Sequence, residues 1–169
     1  MIRITINGQT YDVPEGSTVL EAARENGIHI PTLCYHPQLK PLGNCRLCLV
    51  EVEGVDRPLA ACETPVQEGM VVRTDTPELN EMRRGILEML IAAHPVTGCY
   101  TCDRAGNCEF QDFVFSQNLP GQALFTETYC YPVIKDNPFI VRDYEKCILC
   151  GRCVAACAEH QARYVLDYL

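Results

Sequence analysis

Twelve cysteines sit in this chain of 169 residues, and their spacing restricts its possible folds more than any apolar pattern does. Eleven of them join one histidine in three successive groups. Cys34, Cys45, Cys48 and Cys62 come first, then His94, Cys99, Cys102 and Cys108, then Cys147, Cys150, Cys153 and Cys157. Cys130 is left over. Donor groups this closely spaced imply small lobes, and lobes under roughly 70–80 residues rarely hold together on apolar burial alone. Metal binding would then supply folding free energy along with function, because such ligands converge only in the folded chain. Thiolate-held iron exchanges single electrons, so the pattern predicts an electron carrier.

A formal charge of −8 and the lack of any basic stripe argue against nucleic acid as a partner. An acidic surface suits docking on a basic patch of another redox protein, and solubility accounts for it equally well. The start, Met1 to Gly8, has no apolar signal core. No apolar run approaches the ~20 residues that span a bilayer. A cytoplasmic protein is expected, where thiols stay reduced and clustered cysteines bind metal in preference to forming disulfides. Neither G-x-G-x-x-G nor the Walker pattern occurs, so the sequence offers no nucleotide or flavin site.

Local signals place the groups on elements. Ile2, Ile4 and Ile6 alternate, Asn7-Gly8 makes a tight turn, and Tyr11 and Val13 alternate on the return, predicting a hairpin over 2–13. Thr18 to Glu21 is a capping box opening a helix through Asn26, closed by Gly27. Leu49, Val50 and Val52 predict a strand, as do Val71 and Val72. A long helix is expected from Thr76, its cap, and Pro77, in its first turn, to about His94. Its apolar stripe is read as Leu79, Met82, Ile86, Met89, Leu90 and Ala93. Residues 116–137 are read as irregular, Phe139 to Val141 as a short strand, and Cys153 to Gln161 as a helix.

The first group is spaced C-x10-C-x2-C-x13-C. A plant-type 2Fe–2S centre uses C-x4-C-x2-C with a distant fourth cysteine, so six extra residues must loop out after Cys34. Gly43 and Asn44 give the backbone freedom to aim N–H groups at sulfur. Zinc is the alternative, but its four-thiolate sites usually offer two C-x2-C knuckles and this group has one. His36, nearby, is read as a loop histidine bonded to local backbone.

Three stretches carry a resemblance: Ile30 to Pro37, Gly43 to Val52, and Ala61 to Met70. They resemble the N-terminal region shared by the large iron–sulfur subunit of respiratory complex I, iron-only hydrogenases and NAD-dependent formate dehydrogenases. The resemblance implies an α+β chain whose residues 1–77 form a β-grasp ferredoxin domain holding 2Fe–2S.

In the second group, one imidazole and three thiolates could hold a 4Fe–4S cluster. A neutral nitrogen in place of thiolate removes one negative charge and tends to raise the potential. His94 could equally be an ordinary residue favoured at a helix C-terminus. Ala93-His94-Pro95 and the run Cys99 to Asp112 resemble the His(Cys)3 cluster domain of the same enzymes, implied here over 78–118. That family has three residues between histidine and cysteine, and this chain has four, a difference that a loop containing Gly98 can absorb. Cys130 is the substitute ligand.

The third group, C-x2-C-x2-C-x3-C, is the bacterial ferredoxin run, whose fourth cysteine serves the other cluster in two-cluster proteins. No second run follows. Asn137 to Asp143 and Lys146 to Cys153 resemble half of the double-cluster domain in the same enzymes, implying a connector at 119–137 and a partial 4Fe–4S domain at 138–169. Its fourth ligand is Cys157 or Cys130, the cluster could be three-iron, or the segment could hold none.

The resemblance thus implies one 2Fe–2S and two 4Fe–4S clusters in an electron-transfer subunit without catalytic residues of its own. Its implied partners are an NADH-oxidising flavin/iron–sulfur subunit and a further redox subunit in a hetero-oligomer, with ferredoxin among the carriers. Hydrogenase, formate dehydrogenase and electron-bifurcating transhydrogenase are the implied settings. Two other readings remain: an N-terminal fragment of a full-length hydrogenase or formate dehydrogenase, and a zinc-stapled scaffold without redox chemistry.

Overall fold

Asn7 and Gly8 take φ of 51° and 83°, the doubly left-handed turn whose twist matches that of a two-residue hairpin. It joins β1 (Ile2–Ile6) to β2 (Gln9–Val13), with Ile6 paired to Gln9. The computed structural model describes residues 1–94, 99, 102–119 and 131–168. Two compact units divide the chain, one of 1–83 with 150–169 and one of 84–149.

In the first unit, β3 (Leu49–Val52), β4 (Leu59–Ala60) and β5 (Val71–Arg73) complete a five-stranded mixed sheet ordered β2-β1-β5-β3-β4. β1 and β5 run parallel and the other neighbours antiparallel, a β-grasp arrangement. α1 (Val19–Glu25) buries Val19, Leu20, Ala22 and Ala23 in the core formed with Ile4, Ile6, Val50 and Val72. Its start is the expected capping box. Glu21 N–H donates to Thr18 Oγ1 at 3.2 Å, and Thr18 N–H donates to the Glu21 carboxylate at 2.8 Å. Gly27, at φ 72°, follows its end. Cys48 and Cys62 belong to this same apolar core.

α2 (Pro77–Ala93) starts as expected, with Leu79 N–H donating to Thr76 Oγ1 at 3.2 Å. Its buried face differs from the expected stripe. Leu79, Arg83, Leu87 and Ile91 are buried, whereas Met82 and Met89 are exposed. Four-residue steps from Leu79 define this face, and an arginine occupies its second position because backbone carbonyls satisfy the guanidinium.

In the second unit, α3 (Glu109–Ser116) buries Phe110, Gln111 and Val114. Phe139 to Val141 do not form the expected strand. Ile134 and Arg142 exchange backbone bonds of 2.9 and 3.0 Å as an isolated bridge, and the three residues lie exposed in the loop between them. Phe139 N–H donates to Asn137 Oδ1 at 2.8 Å, so a local asparagine turn takes the amide a strand would need. α4 (Arg152–Glu159), begun by left-handed Gly151, belongs to the first unit. Among the described residues, no helix is long and apolar enough to cross a membrane.

Candidate metal centres

The β3–β4 pairing brings together the last two donors of the first group. Leu49 faces Ala60, and Ala61 N–H donates to the Cys48 carbonyl at 2.9 Å, so the residues flanking the hairpin meet with Cys48 and Cys62 sulfurs 3.4 Å apart. Cys34 and Cys45 form the second pair, joined through their thiols. Cys34, Cys48 and Cys62 are buried and Cys45 half-buried. With Arg46 turned to φ 56°, the N–H groups of Leu47 and Leu33 both donate to the Cys45 sulfur, the latter at 3.4 Å. Such a concave set of amides favours negative sulfur.

The thiols are split in acidity. A hydrogen bond from Cys34 lowers the Cys45 thiol to about 5, aided by the amides, while the same bond and then burial raise Cys34. Hydrogen bonding between Cys48 and Cys62 likewise lowers Cys48, and that bond and burial raise Cys62. Two close pairs of sulfurs fit a core of two irons with two thiolates on each. Among the described residues, no three His, Cys, Asp or Glu side chains gather around one point as a single ion needs. His36 behaves as a loop histidine, its Nδ1 accepting from Gln38 N–H at 3.2 Å.

In the second unit, Cys108 caps α3, Cys99 is buried, and Cys102 and Cys108 are half-buried. Burial raises the Cys99 thiol first, and the neighbouring Cys108 and Cys102 raise it further, so the three sulfurs lie within electrostatic reach of one another. Gln111 ties the loop together by accepting from Gly106 N–H at 2.8 Å and bonding to Cys99. His94 ends α2 with its ring edge-on to Phe110, centroids 5.2 Å apart. Burial lowers its pKa, favouring neutral imidazole, and its ring N–H donates to the Glu145 carbonyl. Nδ1 is buried and has no hydrogen-bond partner. A neutral imidazole with one nitrogen oriented by a carbonyl and the other free fits a metal ligand. The loop around Gly98 that would absorb the extra residue lies outside the described residues.

In the third group, Cys147 accepts from Leu149 N–H at 3.4 Å. Cys150 and Cys153 lie within electrostatic reach of the Tyr168 hydroxyl, as does Cys34. Cys157, one turn after Cys153 on α4, is buried, whereas Cys153 is exposed. Cys130, the alternative ligand, lies outside the described residues. The sequence reading missed β4, the buried Arg83 and the position of Tyr168. Only Arg83 left a signal, standing four residues after Leu79 at a core step.

Comparison with known proteins finds three family matches along the chain. Residues 1–77 match a 2Fe-2S iron-sulfur cluster binding domain, and 83–120 match the NADH-ubiquinone oxidoreductase-G iron-sulfur binding region. Residues 139–162 match a 4Fe-4S binding domain. Three small iron–sulfur domains in tandem define the class of protein.

The chain is 46% identical over 162 residues to a G-type subunit of the NADH-quinone oxidoreductase of Rhizobium meliloti, covering 94% of this chain and 19% of that protein. It is 39% identical over 154 residues to the alpha subunit of the NADPH-Fe(3+) oxidoreductase of Geobacter sulfurreducens, covering 91% of this chain and 18% of that protein. The chain therefore spans only about a fifth of these curated relatives. A crystal structure of an NAD+-reducing NiFe hydrogenase in the H2-reduced state contains a chain that superimposes with a TM-score of 0.85 at 33% identity. That match covers 96% of this chain and 68% of the hydrogenase chain. The chain belongs to the iron–sulfur subunit family that includes this hydrogenase chain, and it resembles the N-terminal region of the G-type subunits of NADH-quinone oxidoreductases.

Proposed function

We propose that this chain relays single electrons between an NADH-oxidising flavin subunit and a second redox subunit of an oxidoreductase complex. Cys34, Cys45, Cys48 and Cys62 would hold a 2Fe–2S cluster within 1–77. His94, Cys99, Cys102 and Cys108 would hold a 4Fe–4S cluster within 78–118. Cys147, Cys150, Cys153 and Cys157 would hold another within 138–169, after a connector at 119–137. When bound, such clusters accept and release one electron at a time. The chain's own part is to fix the sulfurs, direct amides at them and exclude water from the inner pair.

The observation that carries this reading is the paired sulfurs of the first centre, built into the core of the sheet with amides aimed at Cys45. The free Nδ1 of His94 supports the second centre. The relatives' names support the setting, since they are NADH- and NADPH-linked oxidoreductases and an NAD+-reducing hydrogenase. A cytoplasmic, electron-bifurcating complex with ferredoxin as one carrier is the setting we favour.

Anaerobic purification with iron, sulfide and zinc assays tests the proposal. About ten irons per chain with matching sulfide is the expected result. Colourless protein with stoichiometric zinc would replace the relay with a scaffold.

A further inference from the structure

Among the described residues, Arg83 is the only charged side chain that is buried, 7% exposed. Removing a guanidinium from water costs several kcal/mol unless its N–H groups are bonded. Here they are. Nε donates to the Leu47 carbonyl at 3.1 Å, and Nη2 donates to the carbonyls of Leu49 at 2.7 Å and Thr74 at 2.8 Å. Nη1 donates to Asn80 Oδ1 at 3.2 Å.

Two features of this arrangement matter. Leu47 and Leu49 flank Cys48, so the guanidinium grips the backbone on both sides of one proposed cluster ligand. All four hydrogen-bond acceptors are neutral, so the bonds leave the charge in place. The anionic groups within its electrostatic reach are Asp75 and the Cys48 sulfur. Asp75 is exposed and water-screened, whereas Cys48 is 1% exposed. The field of Arg83 is therefore felt most strongly on the Cys48 side, where little water screens it.

We propose that Arg83 is a positioning residue that sets the reduction potential of the first centre, holding a buried positive charge beside Cys48. This rests on the reading of that centre as 2Fe–2S. Reduction adds one negative charge to such a centre, and a nearby fixed cation stabilises the reduced form. A purely structural clamp would hold the loop but leave the potential unmoved once the cluster is loaded.

The test is a redox titration of the 2Fe–2S paramagnetic signal in the full chain, comparing wild type with Arg83→Lys, Arg83→Gln and the paired change Asn80→Asp with Asp75→Asn at low ionic strength. Arg83→Gln removes the charge and should shift the midpoint negative by about tenfold in the reduced-to-oxidised ratio, ~59 mV for a one-electron couple. Arg83→Lys keeps the charge and should stay near wild type. Asn80→Asp leaves the three carbonyl contacts intact and puts a carboxylate on Nη1. Because Asn80 Nδ2 donates to Asp75 Oδ1 at 2.6 Å, it is made together with Asp75→Asn, which keeps that contact bonded and the net charge unchanged. The pair should move the midpoint in the same direction by a smaller amount. If Arg83→Gln fails to assemble the cluster, the paired change decides alone. Loaded variants with an unmoved midpoint overturn the proposal. A wild-type chain with no 2Fe–2S signal overturns the underlying reading of the site instead.

Discussion

Asn44 donates through Nδ2 to the Tyr168 hydroxyl at 2.7 Å, joining residues 124 positions apart in the first unit. The same hydroxyl stands directly over Gly151, where any added Cβ would collide with it. Two more bonds tie the C-terminal segment to the loop after Cys34. Arg152 donates to the Tyr35 carbonyl at 2.9 Å, and Lys40 N–H donates to the Glu159 carboxylate at 3.0 Å. Tyr168→Phe removes one of three ties at a half-exposed position. It should cost at most about 1 kcal/mol. Hydrogen exchange should quicken across 152–168 while the β1–β2 amides stay protected, and uniform protection throughout would show that the tie is idle.

Gly43, next to Asn44, has φ 59°, and its missing Cβ leaves room for the Glu63 carboxylate. Gly43→Ala adds backbone strain of about 1–2 kcal/mol in the left-handed region. Glu63 is exposed and can swing away, and its 3.5 Å pair with Arg46 is too solvated to add much. Gly8→Ala, at φ 83° with open space around it, is the control for strain alone. Urea unfolding should give similar losses for the two variants. A much larger loss at Gly43 would mean that Glu63 is pinned against the loop.

Features set by neighbours in sequence were legible and those set across the fold were not. The Asn7-Gly8 turn, the Thr18–Glu21 box and the Thr76 cap each depend on a few adjacent residues, and all appear as read. The extent of α2 was equally local. Its buried face was not, because Arg83 is buried by carbonyls of residues 47, 49 and 74. The Phe139–Val141 strand failed for a related reason: its apolar residues signal burial, but an asparagine turn claims the first amide. In the first centre the spacing marked the four cysteines. Which two meet depends on the pairing of β3 with β4, a strand of two residues without a pattern of its own.

His94 should prove separable from the other donors of its group. His94→Ala removes the ring that packs on Phe110 along with the free Nδ1, so loss of the cluster alone would be ambiguous. His94→Gln keeps more bulk and removes the imidazole. Both variants should lose one 4Fe–4S signal and retain the 2Fe–2S signal, while unchanged 4Fe–4S signals would remove His94 from the ligand set.

The third centre turns on its fourth ligand. Cys157 sits one turn beyond Cys153 on α4 and is buried, with its carbonyl accepting from Arg163 N–H at 3.2 Å. If Cys157 were only a core residue, serine there would bury a hydroxyl and cost about 1–3 kcal/mol of stability without any loss of iron. As a ligand it must be thiolate, and serine would deprive the iron of one of four bonds. Cys157→Ser should therefore lose about four irons per chain, while Cys130→Ser keeps its full complement. The reverse result would assign the site to Cys130. Loss in neither variant would leave Cys147, Cys150 and Cys153 as the only thiolates and point to a three-iron centre, which low-temperature paramagnetic resonance of the oxidised protein would detect.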